Sequence, residues 1–208
     1  MSIGGGVRAV AGVPSGFGER MLRRLPFLYH PIARFIAAEG RLQPRVVDLG
    51  TGSGIALEHV RRHVPSARLV GLDLRHEPVR LGAAGIAFVQ GDAQELPFAT
   101  GSIDHVVIRS ALCYCGDPAQ VLREVLRVLV PGGSACITDS NPGRWRRWLI
   151  IVIGMTVLRR SYEDMAGFAE RAISRQQLTA ALADAGATHY RYRRIFLGTY
   201  FHLILRKL

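Results

Sequence analysis

The stretch Val46-Val-Asp-Leu-Gly-Thr-Gly-Ser-Gly54 decides the predicted fold of this 208-residue chain. It begins as a short buried strand, passes through glycines at positions 50, 52 and 54, and continues into a helical pattern. A strand that runs through glycines into a helix is typical of a nucleotide-binding turn. Glycine allows a positive φ there, and its missing Cβ lets a ligand lie against the backbone. A G-x-G pattern alone is common, and dinucleotide folds place their third glycine one residue later than this chain does.

The rest of the chain continues this alternation of short apolar runs and helical patterns. The final stretch differs, because two strands there flank a Leu197-Gly198 turn. The fold class is therefore α/β: a doubly wound, Rossmann-like sheet of seven mostly parallel strands with an antiparallel strand in the C-terminal hairpin. We predict strands over residues 45–49, 68–73, 86–90, 103–108, 134–138, 189–196 and 199–205, and helices over 54–63, 77–84, and from 118 to a stop at Pro131-Gly132-Gly133.

Two helices carry capping signals at their N-termini. Asp117 and Gln120 have the spacing of a capping box, in which the two side chains each bond the other residue's backbone amide. Ser174 and Gln177 have the same spacing at a later helix, which should end at Gly186.

Acidic residues follow three of the predicted strands. Asp48 lies at the end of the first strand, Asp73 at the end of the second, and Asp92 just after the third. The carboxyl ends of parallel strands line one crevice, where ligands bind, so these carboxylates should lie together. There they could face the hydroxyls and amine of an adenosine, or balance a cation. Each aspartate alone could equally be a helix cap or a surface charge, so the prediction depends on the whole set.

This series of motifs resembles the class I S-adenosylmethionine-dependent methyltransferases, and within them the type 11 small-molecule branch. That branch includes ubiquinone/menaquinone methyltransferases and bacterial phospholipid N-methyltransferases. The motifs occur in the family's order and spacing, closely over about residues 44–140 and more loosely over the terminal hairpin. The matching pieces are Val46-Val-Asp-Leu-Gly-Thr-Gly-Ser-Gly54, Gly71-Leu-Asp-Leu74, Gly91-Asp-Ala-Gln-Glu-Leu-Pro-Phe98, Ser102-Ile-Asp-His-Val-Val107 and Leu122-Arg-Glu-Val-Leu-Arg-Val-Leu-Val-Pro-Gly-Gly133.

The resemblance implies S-adenosyl-L-methionine as the cofactor and a role for each matching position. The glycine loop and the first aspartate would hold the methionine part, and the later positions would bind the ribose and the adenine. Two residues past the fourth strand would lie near the methionine and the acceptor. For the methionine part the implied residues are Asp48, Gly50, Thr51, Gly52 and Gly54, and for the ribose Asp73. For the adenine they are Leu74, Asp92 and Ala93, and for the acceptor side Arg109 and Ser110.

We predict a single methyltransferase domain over residues 1–208. Residues 19–39 are helical in composition and should break or kink near Pro26 and Pro31, because proline lacks the amide donor. The parts of the domain are an N-terminal arm and cap helix (1–40), a donor-binding core (44–140), an acceptor-side insertion (141–173) and a C-terminal helix and hairpin (174–208).

The resemblance leaves the catalytic residues unknown. The segment Arg109-Ser-Ala-Leu-Cys-Tyr-Cys-Gly116 follows the fourth strand, where the family places residues that face the acceptor. It lacks both the Asn/Asp-Pro-Pro-aromatic motif of many nucleic-acid N-methyltransferases and the histidine of many type 11 members. Tyr114 is the candidate base, with a packing role as the alternative. Cys113 and Cys115 are interpreted as small buried hydrophobes rather than a thiol or metalloid site.

No metal site is predicted, because no His/Cys cluster has the spacing of structural zinc. His59 and His63 lie four residues apart on one predicted helix face, without a third ligand. We expect both histidines to be solvated.

Composition indicates a globular protein of a reducing compartment. Hydrophobic residues make up 49% of the chain and the mean hydropathy is +0.16, which excludes a disordered chain. Three cysteines without a C-x-x-C pair, and no N-terminal signal peptide, favour the cytoplasm. The longest apolar run, residues 148–158, would be about 16 Å long as a helix, against about 30 Å of hydrocarbon core. It is too short to span a membrane.

The net charge of +11 points to an anionic partner, and Lys207 is the only lysine among the 27 basic residues. Much of the arginine brackets apolar segments at 21–35 and 144–160, and more lies on the terminal hairpin. Arginine and tryptophan around an apolar stretch suit a bilayer interface, and equally the ends of a buried lid helix. We expect a peripheral contact with anionic membrane.

The predicted function is methyl transfer from S-adenosylmethionine to a small hydrophobic acceptor such as a quinone precursor, a lipid or a secondary metabolite. Two alternatives remain: an RNA methyltransferase, which the charge suggests, and a non-catalytic scaffold that kept the donor pocket. Nucleic acid is the less favoured partner, because the predicted donor site is acidic and the charge lies elsewhere. The methylated atom and the oligomeric state are left open.

Overall fold

The computed structural model describes residues 29–74, 85–141, 143, 147–156 and 162–208. Within these ranges seven strands form one sheet, and helices pack on both of its faces. The strands are β1 (Arg45–Leu49), β2 (Arg68–Asp73), β3 (Ala87–Gln90), β4 (Ile103–Arg109), β5 (Leu129–Ser140), β6 (Tyr190–Ile195) and β7 (Tyr200–Arg206). The helices are α1 (His30–Ala38), α2 (Ile55–His63), α3 (Pro118–Val128), α4 (Arg147–Thr156), α5 (Tyr162–Arg171) and α6 (Arg175–Asp184).

The strand order in the sheet is β3-β2-β1-β4-β5-β7-β6. Strands β1 to β5 pair in parallel, whereas β7 is antiparallel to both of its neighbours. This is the predicted doubly wound sheet with one antiparallel strand, so the fold prediction is confirmed.

Two apolar cores lie on opposite faces of the sheet, because consecutive residues of a strand point to opposite sides. Val47 and Val106 belong to the core beneath α3 and α6. Val46 and Val107 belong to the core beneath α1 and α2. With both faces covered, the loops at the carboxyl ends of the strands are left to bind a ligand.

Helix α1 begins close to the break that the sequence predicts near Pro31. It starts at His30, and Pro31 lies in its first turn. Proline is tolerated there because the first amides of a helix have no intrahelical acceptor. Residues 19–28, with the kink expected near Pro26, lie outside the described residues, as does the helix predicted over 77–84.

The two predicted capping boxes differ in the structure. Ser174 and Gln177 form a complete box, with reciprocal bonds of 3.1 and 2.9 Å. Asp117 accepts a bond from Gln120 N at 3.0 Å, but the other half is missing. Instead, the backbone N of Asp117 donates to Gln94 Oε1 at 2.8 Å, and the side-chain Nε2 of Gln120 donates to Gln94 O at 3.1 Å. A side chain from the loop after β3 therefore replaces half of the box.

Strand β5 is longer than predicted and includes Pro131-Gly132-Gly133. The register against β4 jumps between the pairs Ile103–Leu129 and His105–Ser134, so this stretch bulges out of a strand that continues beyond it. The C-terminal hairpin turns where predicted, with Leu197 at a φ of 53°.

Helix α4 corresponds to the apolar run of the insertion and has ten residues. Among the described helices, none combines the length and the apolar composition that are needed to cross a bilayer.

Candidate functional site

The chain moves to opposite sides of β1 in forming β2 and β4, and such a reversal opens a crevice at the carboxyl ends of the strands. Asp48 is the next-to-last residue of β1, in register with Gly71 of β2 and Val107 of β4. Asp73 and Arg109 are the last residues of β2 and β4. The structure therefore brings these three charged residues to one edge of the sheet.

The glycine loop after β1 is held tightly on one side and open on the other. Gly50 N and Thr51 N both donate to Leu72 O, at 2.8 and 3.1 Å. Gly50 has a φ of 70°, and a Cβ there would collide with the Cβ of Ala111. At Gly52, by contrast, an added Cβ would meet nothing within 4 Å. The backbone at Gly52 thus borders open space that a ligand can enter.

Two further contacts tie this loop to its neighbours. Gly52 N donates to Asp73 Oδ2 at 2.9 Å, which fixes the end of β2 against the loop. Gly54 N donates to Thr51 O at 2.9 Å, and Gly54, at a φ of 77°, is the N-cap of α2. All three glycines have a positive φ, which explains why the loop needs glycine at these positions.

Asp48 is the most unusual ionisable group of the site. It is 2% exposed, and its Oδ2 accepts a bond from the Thr51 hydroxyl at 2.9 Å. Its Oδ1 has no hydrogen-bond partner among the described residues. Burial raises the pKa of Asp48 from 3.8 to about 7, although the Thr51 hydrogen bond and the Arg109 guanidinium both act to lower it. A buried carboxyl with one unpartnered oxygen is suited to a cationic ligand.

The positions expected to bind adenine lie next to this edge. Asp92 comes two residues after β3 and accepts a bond from Gln94 N at 2.8 Å. Ala93 packs against the core beneath α3, while Leu74, beside Asp73, is 53% exposed. The edge therefore offers an apolar side chain as well as carboxylates.

Arg109 is covered by an aromatic ring from α1's N-terminus. Its guanidinium lies 4.2 Å from the ring centroid of Tyr29, which in turn stacks on the ring of His59 at 5.2 Å. The prediction that His59 is solvated is therefore wrong: it is buried, and burial lowers its pKa to about 4. His63 is exposed, as expected.

The segment after β4 is bound to the end of β5. Ser110 N donates to Thr138 O at 2.8 Å, with Ser110 at a φ of 50°. Cys113 N donates to Asp139 Oδ2 at 3.1 Å, and Ser140 N donates to Asp139 Oδ1 at 2.7 Å. Asp139 is fully buried, and burial raises its pKa. Sequence reasoning missed it, although it follows the predicted fifth strand as Asp48 and Asp73 end theirs.

Tyr114 faces the insertion. The guanidinium of Arg171, from α5, lies 5.5 Å from its ring centroid. Tyr200, at the start of β7, lies close enough to be influenced by Arg109, Asp139 and Tyr114, and burial raises the pKa of its phenol. The structure therefore gathers Tyr114, Tyr200 and Asp139 at the edge of the sheet where β4 and β5 end.

The two cysteines near Tyr114 are half-buried and free. Burial raises the pKa of Cys115 to about 12, and that of Cys113 is raised as well. Both thiols therefore remain neutral, which agrees with an apolar role. In the described part of the chain, no group of three His, Cys, Asp or Glu side chains is placed to hold a metal ion.

Residues 47–137 match a family model described as a methyltransferase domain of type 11. The match places residues 47–137 in this methyltransferase family. The chain's motifs, its sheet order and the position of its glycine loop are those of a class I methyltransferase, as the sequence predicted. S-adenosylmethionine is the cofactor on which these methyltransferases depend.

Named relatives and a solved structure support this membership. A fatty-acid O-methyltransferase of Mycolicibacterium smegmatis is 36% identical over 63% of this chain and 48% of its own length. A ubiquinone/menaquinone biosynthesis C-methyltransferase of Desulfotalea psychrophila is 28% identical over 74% of this chain and 70% of its own. The crystal structure of a methyltransferase of Thermotoga maritima covers 92% of this chain and 98% of its own, with a TM-score of 0.62 and 16% identity, which shows the fold. The chain spans about half the length of the first curated relatives it matches.

The residues of this methyltransferase domain fit S-adenosylmethionine on two observations. The cofactor carries a cationic sulfonium and an ammonium group, and Asp48 Oδ1 is a buried acceptor without a partner among the described residues. The open space at Gly52 leaves room for a ligand against the backbone.

Proposed function

We propose that this chain transfers a methyl group from S-adenosylmethionine to a small hydrophobic acceptor. The observation that carries the proposal is Asp48, a buried carboxyl whose Oδ1 has no hydrogen-bond partner among the described residues, beside a glycine loop that borders free space. A cationic ligand would stabilise the charged carboxylate and compensate for its burial.

The remaining donor positions are assigned along the same edge. Asp48 and the glycine loop would hold the methionine part, and Asp73 the ribose hydroxyls. Leu74 would pack beside the adenine, and Asp92 with Ala93 would bind its amine edge. The bond from Gly52 N to Asp73 supports this assignment, because it fixes the Asp73 carboxylate next to the methionine part.

Bound S-adenosylmethionine supplies an electrophilic methyl group, so the chain has to orient the acceptor and exclude water. Arg109 and Ser110 lie where the donor edge meets the acceptor side. The Asp139 carboxylate fixes the backbone at Cys113 from the end of β5, and this holds Tyr114 in place. Tyr114 remains the candidate base for an acceptor that needs one.

The acceptor side favours uncharged groups. Burial raises the pKa of Tyr200, Asp139 and Cys115. Each of these groups therefore favours its neutral form more strongly in the protein than it would in water. Such surroundings suit an apolar acceptor better than a phosphodiester. The names of two relatives, one a fatty-acid O-methyltransferase and the other a ubiquinone/menaquinone biosynthesis C-methyltransferase, agree with this class.

We propose that the enzyme works in the cytoplasm and makes peripheral contact with anionic membrane. The net charge of +11 supports this proposal, because a strongly basic protein is attracted to an anionic surface.

The experiment that tests the proposal has two stages. Calorimetry with S-adenosylmethionine and with its demethylated product measures donor binding, and the absence of binding to both would overturn the proposal. A labelled-methyl assay on lipid extract and on total RNA then identifies the acceptor. We expect label in the lipid extract. Label in RNA would support the RNA methyltransferase instead, and donor binding without transfer to any pool would support the scaffold.

A further inference from the structure

We propose that one face of α4 docks on the surface of an anionic bilayer, next to the acceptor side of the site. The inference rests on the proposed function, since it names the surface from which an apolar acceptor would enter. The face is formed by Trp148, Val152 and Met155 and is called the α4 face below.

The α4 face is apolar and open to solvent. Trp148, Val152 and Met155 are 62%, 51% and 44% exposed. They stand at positions i, i+4 and i+7, so they lie along one side of the helix. Tryptophan on an apolar helix face is typical of a helix that lies in a membrane interface.

A different side of α4 holds it to the protein. Ile151 is buried against Ala169 of α5, and Ala166 and Tyr200 pack around this pair. Ile151 therefore anchors α4 to the protein, and substitutions at the exposed Val152 and Met155 should leave folding intact.

The sequence that flanks α4 on both sides is rich in arginine. Residues 140–162 contain five arginines and no aspartate or glutamate. Arg147, the first residue of α4, is exposed. Basic residues that flank an apolar helix face add electrostatic attraction to the burial of apolar side chains.

The size of the α4 face favours a bilayer over a protein partner. A stable protein interface buries about 800 Å² on each side, with about 20–30 residues. Three exposed side chains on a ten-residue helix fall well short of that. A bilayer needs no such complementary surface, because its acyl region accepts any apolar side chain.

The α4 face also has a suitable position relative to the site. Tyr200 packs against Ile151 and Ala169, where α4 meets α5. It also lies close enough to Asp139 and Tyr114, across the end of the sheet, for both to raise its pKa. An apolar acceptor leaving the bilayer beside α4 would therefore meet the acceptor side directly, without crossing water.

Flotation with vesicles of phosphatidylcholine and phosphatidylglycerol tests the proposal. We expect the full chain to float with anionic vesicles at low salt, and much less at high salt because salt screens surface charge. The double substitution Val152→Glu with Met155→Glu should weaken vesicle binding at least roughly tenfold, since two apolar side chains no longer enter the interface. The matched control is Leu42→Glu with Leu197→Glu, which changes two other exposed apolar residues by the same charge.

The outcomes separate this proposal from the proposed function. Equal binding by the two double variants, or no flotation of the wild type, would overturn docking by the α4 face. Donor binding measured by calorimetry on the same samples should be unchanged in both variants, and its absence from the wild type would instead overturn the proposed function. If light scattering shows a dimer that only the α4 variant dissociates, the face is a contact between copies and the bilayer proposal is wrong.

Discussion

A Cβ added to Gly71 would lie 2.6 Å from Cγ2 of Thr51, so β2 and the glycine loop fit together only with glycine at position 71. Thr51 is the residue that donates to Asp48, and Gly71 is the partner of Asp48 in the β1–β2 register. The fit of these two residues therefore sets the position of the buried carboxyl.

We predict that Gly71→Ala displaces Thr51 and lengthens its hydrogen bond to Asp48. Overpacking of this kind costs about 1–3 kcal/mol of stability, which urea denaturation measures. Donor affinity should fall as well. Gly116→Ala is the control, because a Cβ there makes only an ordinary contact with Gln94 at 3.6 Å. Equal stability of the two variants would contradict the close fit at Gly71.

The second prediction concerns the stability of Asp48→Asn as a function of pH. The pKa of Asp48 is about 7 in the folded chain and 3.8 as its ordinary value, so the folded state holds the proton more tightly. The stability that this proton gives is complete below pH 3.8 and is lost as the pH rises through 7. Asp48→Asn should therefore be more stable than the wild type at pH 8, by at most about 4 kcal/mol. The difference in unfolding free energy between the variant and the wild type should shrink toward pH 4. A difference that does not change with pH would show that the wild type does not carry a buried charge at Asp48.

The third prediction is that donor binding releases a proton. A cationic ligand beside Asp48 favours the carboxylate, so its pKa should fall when S-adenosylmethionine binds. Affinity should then decrease as the pH falls below 7, and the heat of binding should depend on the ionisation enthalpy of the buffer. In Asp48→Asn both effects should disappear. Proton release that persists in this variant would place the titrating group elsewhere.

The fourth prediction tests the ribose assignment. Asp73→Ala should weaken the binding of S-adenosylmethionine by roughly 1.5–3 kcal/mol, the usual cost of losing hydrogen bonds to a charged group. Calorimetry measures this directly. Asp184→Ala removes an exposed carboxylate from the end of α6 and should leave affinity unchanged. Unchanged affinity in Asp73→Ala would overturn the position of the ribose.

The sequence was sufficient where a local pattern decided the structure. The apolar strand before Gly50 and the spacing of Asp48 and Asp73 predicted the sheet edge, because strand, turn and helix signals all lie within a few residues of each other. Asp139 follows the same rule, because it comes directly after the predicted fifth strand (134–138), yet the sequence prediction did not include it.

The sequence was insufficient where distant residues decided the structure. His59 and His63 share a helix face by spacing, yet only His59 lies beneath the ring of Tyr29, which comes from another helix. Likewise, nothing near Asp117 in the chain predicts that Gln94 takes over half of its capping box. Both contacts depend on how separate elements pack, which local spacing does not encode.

The position of β7 between β5 and β6 has a consequence for protein synthesis. Among the described residues, β6 pairs with no strand except β7, and the outer edge of β5 is covered by β7 alone. On the ribosome, β5 and β6, which lie within residues 129–195, emerge before β7, the strand that lies between them in the sheet. The nascent chain therefore presents an open sheet edge until residue 206 has left the exit tunnel, and the outer part of the sheet cannot form earlier.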